Sequence, residues 1–289
     1  CNRYGIDTIS CGATIAWAME AFEAGVLSTA DTGGLELRFG DAQALVAMVR
    51  MIAQRRSFGD LLAEGSQRAA QKLGKGHEFL TTSKGQEAPA HMPQIKRSLA
   101  LIYAVNPFGA DHESSDHDLS YDQDAYTLYH KRYRPLGLET PRPARELGPE
   151  KVTFARTTQK VCSLNDSLCL CQFVWGSSWQ LYGPEQIVQL VAAVTGWGLT
   201  LDELLRVGER RVNMMRFFNL REGIDARADT LPDKFFKPLN GGPSHGWKVA
   251  RDSFEHALPE YYRQCGWDEK TGAPTAQTLR RLGLDWLIE

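Results

Sequence analysis

Leu164-Asn165-Asp166-Ser167-Leu168-Cys169-Leu170-Cys171 sets one carboxylate five residues before one thiol, in a largely apolar run without the glycines of a simple turn. In an α-helix that offset is a rotation of about 140°, so the two groups point apart. If both serve one site, a helix ends or begins between them. A carboxylate is an acceptor-only anchor for N–H-rich groups, and a thiolate is a soft ligand for iron or zinc. Together they suit a heterocycle held beside a metal centre. The competing reading makes Asp166 a helix cap and leaves Cys169 and Cys171 as small buried apolar residues.

Composition limits what such a site belongs to. With 289 residues, 43% hydrophobic and 24% charged, the chain buries a large core and forms one or two domains. A net charge of −2 gives no basic footprint for nucleic acid or an anionic membrane surface. No apolar run approaches the ~18 residues of a membrane-spanning helix, and no basic-then-apolar leader is present. Six cysteines are too sparse for a disulfide framework, so a reducing, cytoplasmic setting is expected. The chain opens at Cys1-Asn2 rather than Met. The expectation is a longer polypeptide whose upstream domain completes the active site.

Helical periodicity dominates from the start. Ile15, Met19, Phe22 and Val26 recur on one face, and Asp31-Thr32-Gly33-Gly34 is a loop. Asp41 reads as the N-cap of a second helix that faces Leu45, Met48, Val49 and Ile52 inward. Ser57-x-x-Asp60 resembles a capping box for a third helix reaching Gly74. Gly85, Pro89 and Pro93 then break the pattern, and two helical domains are expected, residues 1–85 and 86–289. Ser98 to Val105 is a short apolar helix or a buried strand, ended by Asn106-Pro107-Phe108-Gly109.

The most polar cluster follows. His112, His117 and the carboxylates Asp111, Glu113, Asp116 and Asp118 fall within eight residues. Such a set ligates a divalent metal, transfers protons near neutral pH, or forms a solvated acidic loop. Residues 119–150 read as a surface excursion packed through Tyr121, Tyr126 and Tyr129, and Lys151 to Cys162 as a helix that delivers the Asp166–Cys171 stretch. Gly183-Pro184 opens a helix facing Ile187, Leu190, Val191 and Val194 inward. Thr200-x-x-Glu203 is a capping box for the next. Gly223 to Gly246 holds too many breakers for regular structure, and two helices follow near Trp247–Cys265 and Thr275–Leu284. The fold class is mainly α. No βαβ alternation, internal repeat or phosphate-cradling glycine loop is present.

Several separated segments together resemble a known family, the tungsten-dependent aldehyde:ferredoxin oxidoreductases, in their two C-terminal helical domains. Cys1-Asn2-x-x-Gly5-Ile6-Asp7 is similar to that family's D-x-x-G-L-D pterin motif, with Asn2 where an aspartate is typical. Asp166-Ser167-Leu168-Cys169-Leu170-Cys171 resembles the partner motif D-x-x-G-L-C, with Cys169 in place of glycine, and Gly109-Ala110-Asp111-His112 resembles the G-A-x-H loop. Asn219-Leu220-Arg221-Glu222-Gly223, Leu231-Pro232, Tyr261-Tyr262, Gly266-Trp267-Asp268 and Leu282-Gly283-Leu284 follow the C-terminal pattern in order.

The resemblance implies a tungsten, or sometimes molybdenum, bis-pterin cofactor beside a 4Fe-4S cluster. Asn2 with Asp7, and Asp166 with Leu170, would lie against the two pterins. Cys171 would be the last of four cluster ligands, the other three lying in an upstream C-x-x-C-x-x-x-C segment, so these residues alone are expected to be inactive. His112 would move a proton as an aldehyde is oxidised to an acid, oriented by Asp111 or left beside it, with His117 the next candidate. Ferredoxin or another carrier takes the electrons, and a homo-oligomer is compatible. Some relatives instead reduce aromatic acyl thioesters. Asn2 loses a charge, and Cys169 implies that its backbone angle is not strictly positive. Two rival readings are a helical divalent-metal hydrolase using His112, His117, Asp118 and His91, and a non-catalytic scaffold. The spatial expectation is that Asp7, His112, Asp166 and Cys171 line one cavity.

Overall fold

A computed structural model describes all residues from 1 to 289 and contains twelve α-helices with one hairpin. The opening unit holds α1 (Thr8–Glu23), α2 (Ala42–Ala53), α3 (Phe58–Leu62) and α4 (Ser66–Leu73). Their apolar faces close on one core that includes Ile15, Trp17, Met48, Ile52 and Phe58. Asp41 caps α2 as expected, accepting from Gln43 N and Ala44 N at 2.9 Å each. Met48 and Ile52 are buried but Leu45 is exposed, so the inward face is narrower than the periodicity suggested.

The expected third helix is two. Ser57 makes no side-chain cap and takes φ +50°, and α3 ends at Leu62. The reason lies outside the segment: Ser66 N, at the start of α4, donates to Glu87 Oε1 at 2.8 Å, and Thr14 Oγ1 donates to the same oxygen at 2.9 Å. Glu87 belongs to the hairpin β1 (Thr82–Ser83) and β2 (Gln86–Glu87), paired antiparallel with Thr82 opposite Glu87. A buried carboxylate collects these donors because an unpaired one is costly to desolvate.

At the hairpin tip, Lys84 Nζ meets Asp229 Oδ1 at 2.7 Å, and Arg216 clamps both Asp229 oxygens at 2.8 and 2.9 Å. All three side chains are buried, and burial pulls the Lys84 ammonium below its usual range. The hairpin is therefore bonded to both the opening unit and the larger one.

The larger unit comprises α5 (Arg97–Val105), α6 (Thr127–Tyr133), α7 (Pro149–Ser167), α8 (Pro184–Thr195), α9 (Leu201–Arg221), α10 (Asp233–Phe236), α11 (Arg251–Cys265) and α12 (Ala276–Arg281). The segment left open between helix and strand is the helix α5, buried on every side. Leu101, Ile102 and Val105 face the core built with α7, α9 and α11, while Leu99, Tyr103 and Ala104 face a second core with Phe235 and Phe254. A helix apolar all round belongs at such a centre.

Three local expectations need correction. α7 does not stop at Cys162 but runs to Ser167, because Val161, Cys162 and Leu164 are still buried against the interior. In the 119–150 excursion Tyr126 is 66% exposed; Tyr133 and Tyr121 are the buried rings, packed against Phe154. The breaker-rich loop holds α10, whose Phe235 is buried. The capping box at Thr200 and Glu203 and the Gly183-Pro184 start of α8 form as read, although Val194 turns outward. No helix is long and apolar enough to cross a membrane.

Candidate functional site

Helix α7 ends in a tight reversal. Cys169 N donates to Asp166 O at 3.2 Å, Leu170 N donates to Asn165 O at 2.9 Å, and Cys169 takes φ +54°. This is a Schellman ending, in which the residue after the cap turns left-handed and the next apolar residue folds back on the helix. Leu168 and Leu170 pack against the cluster of Leu164, Ile187, Val191 and Leu204.

The opening of the chain repeats the pattern. Gly5 N donates to Asn2 O at 3.3 Å, Ile6 N donates to Cys1 O at 3.2 Å, and Gly5 has φ +65°. Cys1 and Ile6 pack against the first core. Position for position, Asn2 matches Asp166, Gly5 matches Cys169, Ile6 matches Leu170 and Asp7 matches Cys171. The expectation that Cys169 avoids a positive φ is thus overturned. The two reversal bonds demand the left-handed conformation, and a side chain accepts it at a cost of about 1–2 kcal/mol.

The polar groups of both turns face outward. Asn2 and Asp7 are exposed, and Asp7 Oδ1 also caps α1 by accepting from Ser10 N at 2.6 Å. Asp166 is exposed and ion-paired with Arg211 at 2.9 Å; Leu170 is half-buried. Cys169 and Cys171 are both exposed, against the reading of buried apolar thiols, and Asp166 sits in a last turn rather than at an N-cap. A carboxylate there opposes the negative end of the helix dipole, so helix stability does not account for it.

The loop after α5 starts at Gly109, φ +95°, where a Cβ would lie 2.2 Å from the Ser83 carbonyl oxygen. Close approach to the hairpin therefore admits only glycine and fixes where His112 begins. The carboxylates are not a solvated cluster. Asp118 is buried and accepts from Ser98 N at 3.0 Å, capping α5 from a distance, and it pairs with Lys151. Asp116 is buried, accepting from Ser178 Oγ at 3.0 Å and Tyr133 OH at 3.1 Å; burial raises its carboxyl to about 6. Asp111 accepts from Glu113 N and Ser114 Oγ, so it does not orient His112. Glu113 does, with its Oε1 2.9 Å from His112 Nε2, and that contact holds the Glu113 carboxyl low.

His91, His112 and His117 gather here. The His91 and His112 rings stack at 4.4 Å and 12°, and His91 and His117 lie 4.6 Å apart. Lys96 Nζ sits 2.7 Å from His91 Nδ1 and 2.9 Å from His117 Nδ1, and His117 Nε2 lies 3.1 Å from the His112 carbonyl. No group of three or more His, Cys, Asp or Glu side chains is arranged to hold a metal ion. The hydrolase expectation fails on this geometry: an ammonium occupies the space between two imidazoles, and Asp118 is spent on Ser98 and Lys151. Lys96 was not anticipated from the sequence. Nothing in its spacing signals it, because its partners are five and twenty-one residues away.

The segment beyond Cys171 reaches the histidines. Ser178 holds Asp116, Trp179 meets the edge of His117 at 6.1 Å, and Arg132 donates to the carbonyls of Ser178, Gln180 and Leu181. On α7, the buried Cys162 thiol is raised by burial and then by the charges of Asp116, Glu113, Asp166 and Asp111. The start of α1 shares a groove of about 490 Å³ with Pro89, Ala90 and Met92, the segment that carries His91. No hydrogen bond or ion pair joins Asn2 or Asp7 to His112, Asp166 or Cys171. Asp166, Cys171 and His112 are linked only through intervening residues, and that groove is lined by none of Asp7, His112, Asp166 and Cys171.

Fold and site define a class: a helical scaffold presenting two matched turns with outward acceptors, one exposed thiol after the second, and a cluster of three histidines around Lys96. The family model described as aldehyde ferredoxin oxidoreductase, domains 2 & 3, matches residues 1–284, and the chain belongs to that family. It is similar to the tungsten-containing aldehyde ferredoxin oxidoreductases of Pyrococcus horikoshii (34% identity) and Pyrococcus furiosus (34%), covering 98% of this chain and 44% of each relative. A third relative, described as an aliphatic sulfonate oxidoreductase, WOR-like subunit, from Pyrococcus furiosus, is 27% identical over 98% of this chain and 41% of its own length. The chain therefore spans less than half the length of the curated relatives it matches. The same fold occurs in the solved active site complex BamBC of benzoyl coenzyme A reductase with 1,5 dienoyl-CoA, at TM-score 0.75 and 20% identity, covering 98% of this chain and 45% of that one.

Proposed function

We propose that the protein is an oxidoreductase that converts an aldehyde-type substrate to the carboxylic acid and delivers two electrons to ferredoxin or another carrier, using a tungsten or molybdenum bis-pterin beside a 4Fe-4S cluster. The repeated turn carries this reading. Two identical backbone reversals each present an acceptor, Asn2 or Asp166, at the same position, which suits two copies of one flat N–H-rich ligand. Asp7 and Leu170 complete the contacts. Cys171 fits as one cluster ligand, since its thiol is exposed and directly follows the second turn. It can be only one of the four thiolates a cluster needs. When bound, the metal and pterins supply the redox chemistry.

The remaining work falls to this chain. His112 Nδ1 takes up a proton released from the reacting carbon's water or hydroxyl, and Glu113 Oε1, accepting from Nε2–H at 2.9 Å, holds the ring and offsets the charge it gains. The stacked His91 ring fixes the plane of His112. Residues 1–85 and 86–289 act as two units, each contributing one of the two turns, with the hairpin bonded to both. The cytoplasm and a homo-oligomeric assembly are the setting we assign.

The test is metal and iron analysis of the full-length polypeptide that contains these residues, purified anaerobically, with the EPR spectrum of its reduced form. Tungsten or molybdenum with about four irons per chain is expected. Cys171→Ser should lose the iron signal while Cys169→Ser keeps it. Protein that contains neither metal nor iron sinks the reading.

A further inference from the structure

The segment that leaves Cys171 turns back on itself and ends against α6. Cys171 O accepts from Val174 N at 3.0 Å, and Val174 O accepts from Tyr182 N at 2.9 Å, so Tyr182 lies beside the turn that the exposed thiol opens. Arg132 of α6 donates to the carbonyls of Ser178, Gln180 and Leu181 at 2.9, 2.6 and 2.8 Å and fixes the returning segment. Between the two lies a hollow of about 420 Å³ whose walls include Leu128, Lys131, Arg132, Pro135, Leu181 and Tyr182. Leu181 is 68% exposed, and Phe173, inside the turn that Cys171 opens, is 82% exposed, more than any other large apolar side chain. The charge at the hollow is one-sided. Lys131 and Arg134 are exposed without a carboxylate at ion-pair distance, and Arg132 is held only by neutral carbonyls. Glu185, the one acid in the lining, sits in the first turn of α8, where the helix dipole already favours a negative charge. A small exposed apolar area beside unpaired cations is the surface of a weak, electrostatically steered encounter rather than of a permanent interface.

We propose that this hollow is the docking surface for an acidic redox carrier protein, which collects electrons beside Cys171. What the carrier collects rests on the oxidoreductase reading; the binding of an acidic protein does not. Oxidation of one aldehyde with one water yields the acid, two protons and two electrons, so a one-electron carrier docks and leaves twice per turnover. A weak interface that forms and releases quickly suits that traffic.

Binding of an acidic two-cluster ferredoxin to the full-length polypeptide, followed by surface plasmon resonance at low ionic strength, tests the surface without any turnover. Lys131→Glu should weaken binding about tenfold, Lys131→Arg should stay near wild type, and the loss should fade at high salt as the charges are screened. Leu181→Asp removes an apolar contact and adds a repelling charge, and should weaken binding as much or more. Both positions are exposed, so neither change threatens the fold. Acetylation of Lys131 by an N-hydroxysuccinimide ester, read by mass spectrometry, should be rapid in the free polypeptide and slowed by added ferredoxin. Wild type that fails to bind ferredoxin, or Lys131→Glu and Leu181→Asp that bind it as wild type does, overturns the proposal. A Lys131 that resists acetylation in the free full-length polypeptide also overturns it, because the rest of the chain then covers the hollow.

Reduction of a small viologen dye, with an aldehyde as electron donor, separates this proposal from the reading it rests on. Lys131→Glu and Leu181→Asp that reduce the dye at the wild-type rate, but ferredoxin with a KM raised about tenfold, support both. Variants that reduce dye and ferredoxin with wild-type constants overturn the docking surface and leave the oxidoreductase reading in place. A full-length polypeptide without tungsten, molybdenum or iron that still binds ferredoxin through Lys131 would sink the oxidoreductase reading and leave the surface standing.

Discussion

The turn at Asn2–Asp7 and the turn at Asp166–Cys171 have one backbone and two chemistries. Both close with the same pair of reversal bonds and a left-handed residue. In the first, the left-handed position is glycine, the acceptor is a neutral amide, and the next residue, Asp7, caps a new helix. In the second, that position is cysteine, the acceptor is a carboxylate set against the helix dipole, and the next residue is an exposed thiol. The first turn is built almost entirely from groups that help local folding. The second carries backbone strain at Cys169 and a carboxylate set against the helix dipole, offset by its pair with Arg211.

The largest expected difference lies in the residue that follows each turn. Cys171→Ser should abolish cluster iron, whereas Asp7→Asn should leave iron in place and, in stability, cost about 1 kcal/mol or less through the helix cap. Iron content and the denaturation midpoint of each variant check this. Equal iron loss in both would make the turns functionally alike and break the comparison.

Next in size is a pH effect from Asp116, which holds the segment that follows the second turn. The segment after Cys171 is anchored through Ser178 to Asp116, whose carboxyl is raised by burial from its ordinary 3.8 to about 6. The folded protein therefore binds this proton more tightly than the unfolded chain. Its stabilising effect is full below pH 3.8 and is lost as pH rises through about 6, on the order of 2–3 kcal/mol in all. Asp116→Asn should remove that slope. Denaturant midpoints between pH 4 and 7 measure it, and a slope unchanged in the variant excludes Asp116 as its origin.

Backbone strain should give effects of opposite sign. Gly5→Ala places a side chain at φ +65° and should destabilise by about 1 kcal/mol, while Cys169→Gly relieves φ +54° and should stabilise by up to about 1 kcal/mol. Matching signs would mean that the two turns are not held in the same way.

Much of this was open to reading in the sequence, and what was not has a common cause. The motifs around Asn2, His112 and Asp166, the Asp41 cap, the Thr200–Glu203 box and the helical class all depend on residues a few positions apart, where spacing is informative. The fate of the acidic residues was hidden because each is settled by a distant partner. Asp118 caps α5 across twenty residues, Asp116 meets Ser178 across sixty-two, and Glu87 splits the expected third helix from twenty-one residues downstream. Lys96 is the same case: an ordinary lysine in the chain becomes the centre of a histidine cluster only after the loop after α5 folds back. Cys169 was misread for a different reason. Replacing a glycine suggested a relaxed backbone, but the reversal bonds dictate the angle whatever side chain is present.

The smallest predicted effect on stability separates charge from geometry at the acceptor position. Asp166 is exposed and its pair with Arg211 is a surface ion pair, so Asp166→Asn should cost no more than about 0.5–1 kcal/mol. The change makes the second turn chemically equal to the first, where Asn2 already lacks a charge. If the charge of Asp166 strengthens its hold on N–H donors, tungsten or molybdenum content should fall in Asp166→Asn and rise in Asn2→Asp, with both proteins folded as before. If the turn geometry alone suffices, neither variant shifts the metal content, and the asymmetry between the two turns reduces to the thiol that follows the second.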